Sequence, residues 1–223
     1  YGQPPGGTEA ALTAITRETV LDFHRRYYTA ANASLTLVGA IDRTQAESIA
    51  RQLAAALPQG PAPLPVPTPS RTVSEQTIGI RMPGNQTVVL RGALGYARGD
   101  ERHEALTVVN QMLGGGGLGS RLLQALREER GLSYGAGSGF LPMRHPGPFS
   151  IQTQVRNDRV DEALMVIDQE MARLLEGEPD RSGFEDAVRH LSGSFPLALD
   201  SNAGLAGLVS RIAFYGLPLD TLD

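Results

Sequence analysis

An α+β fold, a mostly antiparallel sheet covered by helices, is what this sequence predicts, and three observations lead there. Alternating β-branched and apolar runs cluster between residues 73 and 156, amphipathic helical stripes lie before and after them, and no regular strand-helix-strand alternation links the two kinds of segment. A proline-rich stretch at 58–70 separates a short first part from a longer second one.

Residues 1–15 are rich in glycine, proline and small side chains. Thr16 then caps a helix running to about Thr29, because Val20, Phe23, Tyr27 and Tyr28 recur at helical spacing. Ser34–Val38 reads as a strand with Leu35 and Leu37 on one face and Gly39 at its end. Thr44 and Glu47 form a capping box ahead of a helix with Ala46, Ile49, Ala50, Leu53 and Leu57 along one stripe. Prolines at 58, 61, 63, 65, 67 and 69 fix φ and remove backbone donors, which favours an extended linker.

Beyond the linker, Val73–Arg81 and Thr87–Gly95 read as strands paired around the turn Pro83-Gly84-Asn85. Asp100 caps a helix with Leu106, Val109 and Leu113 inward, Gly114–Gly117 break it, and Ser120 starts a second one carrying Leu122, Leu123 and Leu126. Leu132–Leu141 and Phe149–Arg156 are further strands, the latter alternating Phe149, Ile151, Thr153 and Val155. The remainder is helical: Val160, Leu164, Ile167, Met171 and Leu174 share a face, Ser182 and Glu185 form a capping box, and Pro196 and Gly204 kink or divide the last helical stretch.

The 223 residues carry 20 basic and 24 acidic side chains, a net charge of -4 with the signs interspersed, which speaks against a nucleic-acid face. No apolar run reaches the roughly 18 to 20 residues of a membrane helix. The chain has no cysteine, which removes disulfides, thiolate metal sites and a cysteine nucleophile. Of its four histidines, His24, His103, His145 and His190, none has another at a metal-ligand spacing; His103-Glu104 begins like an H-E-x-x-H site, but position 107 is Thr. Gly114–Gly117 with Leu118-Gly119-Ser120-Arg121 has no following Lys and no preceding strand, so flexibility or close backbone approach explains it better than a phosphate loop.

The stretch Leu126-Arg127-Glu128-Glu129-Arg130-Gly131-Leu132-Ser133-Tyr134 is the most informative. Arg127 lies in the last turn of a helix, Gly131 suits a left-handed C-cap, and Tyr134 enters the next strand, so both side chains can sit near one sheet end and offer a cation and a phenolic donor. Together they suit a peptide carbonyl, or an oxyanion formed elsewhere, without proton chemistry of their own. Residue chemistry alone favours a plainer alternative, a charged helix end beside a half-buried strand tyrosine.

This stretch with Ser120-Arg121-Leu122, the preceding Leu113-Gly114-Gly115-Gly116, the early Tyr1-Gly2, Gly7-Thr8-Glu9, Ile15-Thr16-Arg17-Glu18, Tyr27-Tyr28 and Leu37-Val38-Gly39, and the late Ser201-Asn202 and Tyr215-Gly216-Leu217-Pro218-Leu219-Asp220, resembles the pitrilysin and insulinase family of zinc metallopeptidases over nearly the whole chain. The likeness is to the second, non-catalytic domain and its metallopeptidase half-barrel. Ala40 departs from it where the family usually has Asp. The resemblance implies that residues 1–57 close a preceding homologous domain, 58–70 link, and 71–223 form most of the second domain, truncated at its C-terminal end. It also implies that Arg127 and Tyr134 bind substrate, that no residue here is catalytic or holds metal, and that zinc resides in a partner domain or subunit bearing the inverted H-x-x-E-H motif. The implied partners are that domain and an extended peptide, with neither nucleic acid nor membrane. Residues 16–39 are expected to complete the sheet of the second part, within the chain or by exchange in a homodimer. A catalytically dead assembly subunit of the same family is the rival reading. A periplasmic or secreted bacterial setting is expected by analogy, a cytoplasmic one being the alternative.

Overall fold

The computed structural model describes residues 4–62, 64–70, 74–177 and 181–219, and divides into two units, Tyr1–Ser70 with Ala198–Asp223, and Arg71–Leu197. The ends of several sequence expectations, Tyr1-Gly2, Pro63, Val73 and Asp220, lie outside the described residues.

The first unit is helical. Helix α1 (Glu9–Thr13) is capped by the Thr8 hydroxyl, and α2 (Arg17–Tyr27) by a reciprocal box in which Thr16 and Thr19 side chains accept from each other's backbone amides. Helix α3 (Arg43–Ala56) begins two residues earlier than Thr44 suggested. Asp42 accepts from Gln45 N at 2.8 Å and the Gln45 side chain accepts from Asp42 N at 3.0 Å, while Glu47 bonds Arg43 along the helix surface. A carboxylate accepts the orphan amides at the positive end of the helix better than a hydroxyl does, so Asp42 takes the cap. Residues 33–38 form no strand, contrary to the sequence expectation, and Leu35 is exposed. None of α1, α2 and α3 has a buried residue, so the stripes with Val20, Phe23, Ile49 and Leu53 lie open. Helix α8 (Asn202–Tyr215) is capped by Ser201, whose hydroxyl accepts from Gly204 N, and ends on the left-handed Gly216. Gly204 therefore sits in a first helical turn; the break lies at residues 199–201.

The second unit holds the sheet. Strands β1 (Gln86–Leu94), β2 (Ser133–Phe140) and β3 (Pro148–Arg156) are antiparallel in the order β1-β3-β2. Residues 74–82 are not a strand, so the expected hairpin around Pro83-Gly84-Asn85 does not form. Asn157 explains the difference. Its side chain accepts from the Thr87 hydroxyl and donates to Gly84 O, and its amide donates to Asn85 O, which ties the turn to the exit of β3 and sets β1 against that strand.

Helix α4 (His103–Asn110) starts after Asp100, not on it: the Asp100 carboxylate instead accepts from the backbone and guanidinium of Arg102. The chain then widens into a turn of i→i+5 type at Gln111–Gly115, forms the single turn α5 (Arg121–Leu123), and widens again at Gln124–Glu128. Helix α6 (Val160–Glu176) covers one sheet face. Its Ala163, Val166 and Ile167 pack with Leu122, Leu126, Ile151 and Val155 into the core, each valine, leucine and isoleucine contributing about 1.5–3 kcal/mol by burial. Val160, Leu164, Met171 and Leu174 flank that core as the stripe predicted. Val109 instead stays exposed, on the outer side of α4. Helix α7 (Arg181–Ala198) contains Ser182 and Pro196 within it, and Glu185 accepts from Arg181 Nε at 2.9 Å.

Candidate functional site

Leu122 and Leu126 are fully buried, which fixes the roll of the segment carrying Arg127. The wide turn at Gln124–Glu128 is closed by Glu129 N donating to Gln124 O, and it ends on Gly131 with φ 59°, whose amide donates to Arg127 O at 3.0 Å. Leu132 N then donates to Leu126 O at 2.7 Å. Both leucines are buried, so the chain turns sharply from helix into β2 around an apolar anchor.

The first residues of β2 carry an irregularity. Ser133 pairs with Val155 and Ala136 with Thr153, leaving one extra residue between them, and the Thr153 hydroxyl donates to Gly135 O at 2.8 Å. Such a bulge re-aims a side chain. Ser133 points inward and Tyr134 outward, at 86% exposure. The Arg127 guanidinium lies over the Tyr134 ring, 4.8 Å from its centroid, and its Nε is 3.3 Å from a Glu128 carboxylate oxygen. The two residues singled out from sequence thus meet at one sheet end, stacked face to cation.

Both line a groove of about 970 Å³ on the sheet face opposite α6. Its floor is the outward side of β2 and β3: Gly135, Gly137 and Gly139 from the edge strand, Ser150, Gln152 and Gln154 from the central one. Arg156, held by both oxygens of Asp158, and Gln86, which accepts from Gln154 Nε2 at 2.7 Å, close one end. Sequence reasoning passed over these floor residues; glycine at every second position of a strand was the available signal.

The glycine run at 114–117 lies away from this floor. A Cβ on Gly114 would stand 2.4 Å from Ser138 N, so the helical layer meets the strand backbone there, the close approach expected. His103, the start of the incomplete metal motif, is held at both nitrogens: Arg98 Nη1 lies 3.2 Å from Nε2 and the Tyr96 hydroxyl 2.8 Å from Nδ1. Arginine can only donate, so Nε2 accepts and Nδ1 carries the proton. Burial first, and then the Arg98 charge, push its pKa below the ordinary histidine value. Among the described residues no three His, Asp or Glu side chains gather where a metal could be held, and no helix is long and apolar enough to cross a membrane.

Comparison with known proteins adds the lineage. Residues 14–191 match a family profile described as the peptidase M16 inactive domain. The chain is 29% identical over 219 residues to an uncharacterized zinc protease of Streptomyces coelicolor, covering 94% of this chain and 47% of that protein. It is likewise 29% identical over 220 residues to one of Mycobacterium leprae, covering 96% and 49%. The chain therefore spans about half the length of these relatives. The crystal structure of a peptidase M16 inactive domain from Pseudomonas fluorescens superposes on all of it with TM-score 0.92 at 38% identity, covering 52% of that chain. A Helicobacter pylori protease shares the fold at TM-score 0.80 and 18% identity, over 94% of this chain and 52% of that one. An α+β unit with an antiparallel sheet, an R-G-L-S-Y turn and a profile match over most of its length place this chain in the peptidase M16 inactive-domain family.

Proposed function

We propose that this chain is the substrate-positioning half of a zinc-dependent endopeptidase, in which a homologous domain or subunit carrying the H-x-x-E-H motif performs hydrolysis. The carrying observation is the Arg127–Tyr134 stack at the mouth of the groove, with the phenol ring exposed and the guanidinium over it. A cation and a phenolic donor presented side by side can hold a peptide carbonyl and favour the charge that develops on it during attack from the opposite side. Neither group needs to transfer a proton. In this reading the metal and its chemistry belong to the partner. Relatives named as zinc proteases, about twice the length of the chain, support the same division of labour.

The open apolar stripes of α2 and α3, with Val20, Phe23, Ile49 and Leu53 at 37–57% exposure, support docking of that homologous domain or of a second copy of this chain. They equally suit an assembly subunit, the second reading. Peptidase activity of the protein combined with its zinc-bearing domain separates the two. Arg127→Ala and Tyr134→Phe each lower kcat/KM by roughly 10²-fold, about 2.7 kcal/mol, if the pair contacts the reacting carbonyl. Unchanged rates assign the pair to structure and leave the assembly reading.

A further inference from the structure

Glycine in a strand interior weakens the strand, and here it recurs at 135, 137 and 139. None of the three has positive φ, so backbone geometry does not require it. Packing does not require it either at two of them: a Cβ on Gly135 or Gly139 would meet nothing within 4 Å, and one on Gly137 would lie 3.4 Å from Gly114 O. Gly114 itself shows what a packing glycine looks like, with a neighbour at 2.4 Å. Gly135 lies in the bulge of β2, but bare backbone at 139 is unexplained by anything inside the unit, and all three glycines line the groove.

We propose that β2 is a side-chain-free trough which seats the large, uncharged side chains of an extended peptide, so that Gly135 and Gly139 set the substrate's side-chain size. This rests on reading the groove as the substrate-facing surface. The trough runs along β2 beside the row of Ser150, Gln152 and Gln154 on β3, which supplies amide and hydroxyl partners for peptide N–H and C=O groups. Its charge narrows the choice of peptide. Among the described residues the charged side chains lining it are Arg127 and Arg156, whose partners Glu128 and Asp158 do not line it, so a lysine or arginine of the peptide meets guanidinium groups and is disfavoured.

The test is direct binding of fluorescent octapeptides to the 223-residue chain, read by anisotropy, with the host sequence carrying Phe, Ala or Lys at each position in turn. Wild type binds the best Phe peptide at least about 10-fold tighter than its Ala or Lys counterparts. Gly135→Val or Gly139→Val, neither position having positive φ, abolishes the preference for Phe over Ala, with an unfolding midpoint no lower than that of wild type. Equal losses for Phe and Ala peptides would mean strand distortion and overturn the proposal, as would valine variants that bind like wild type. Phe peptides binding no better than Ala or Lys peptides to wild type overturns it equally. The outcomes remain separable from the broader reading: if Arg127→Ala abolishes peptidase activity while the valine variants leave peptide selectivity intact, the trough fails and the substrate-positioning role stands.

Discussion

Ser138 N lies so close to Gly114 that a single methyl group on the glycine would stand 2.4 Å from it, with the Ser138 hydroxyl at 2.5 Å from the same point. The wide turn at Gln111–Gly115 therefore rests directly on the backbone of β2, and Ser138 Oγ donates to Asn110 Oδ1 at 2.8 Å across the seam. Strand backbone cannot move aside without breaking its pairing with β3. Gly114→Ala is accordingly expected to cost about 1–3 kcal/mol by overpacking, seen as a lower midpoint in chemical denaturation. Gly139→Ala, with open space around its Cβ, is the control and leaves the midpoint unchanged or slightly raised.

Arg127 and Tyr134 form a stack that can be measured apart from any activity. A double-mutant cycle of Arg127→Ala and Tyr134→Leu is expected to return a coupling of about 0.5–1 kcal/mol, since the guanidinium is partly shielded and the ring exposed. Zero coupling would show that the two side chains do not hold each other in solution.

Glu170 is 5% exposed and accepts from Arg121 Nε at 3.2 Å and Arg173 Nη1 at 2.8 Å. Through Arg121 it ties α6 to the turn that leads to Arg127. Glu170→Ala leaves Arg121, itself mostly covered, without its counter-charge and is expected to destabilise by about 3 kcal/mol in urea unfolding. Exchanging Arg121 and Glu170 together for apolar side chains of similar volume is expected to restore much of that loss.

His103 confers an acid limb on stability. Its pKa is depressed in the folded unit by burial and by Arg98, against the weaker opposing charges of Glu104 and Asp100. The unfolded chain therefore binds a proton that the folded chain resists, so stability is complete above about pH 6.5 and falls as pH drops from there through the folded value. His103→Gln is expected to flatten the denaturation midpoint across that window. Asp100, held well below the usual carboxylate range by hydrogen bonds from Arg102, contributes in a separate window that opens only below about pH 3.8.

Local chemistry was legible in the residues. Thr16 as a cap, the stripe on α6, the alternation of Phe149, Ile151, Thr153 and Val155, and the turn from Arg127 through Gly131 to Tyr134 each depend on neighbours a few positions away, and each is present. The meeting of Arg127 with Tyr134 belongs here too, because a left-handed glycine joins their elements directly. Partner choice was not legible. Residues 74–82 have strand composition but no strand, since Asn157, more than 70 residues away, fastens the turn before β1 to β3. Leu35 and Leu37 alternate as a strand would, yet a strand exists only where another backbone offers hydrogen bonds.

The sequence by itself determined the longer helical segments, the sharp helix-to-strand turn and the family signature, because these are set by side-chain period, capping and φ preference over short spans. Only the tertiary structure decided that β1 pairs with β3, that Gly114 presses on Ser138, and that Gly135 and Gly139 stand bare over a groove. Those relations join residues far apart in the chain, and what a glycine lacks acquires a meaning only when the surrounding space is known.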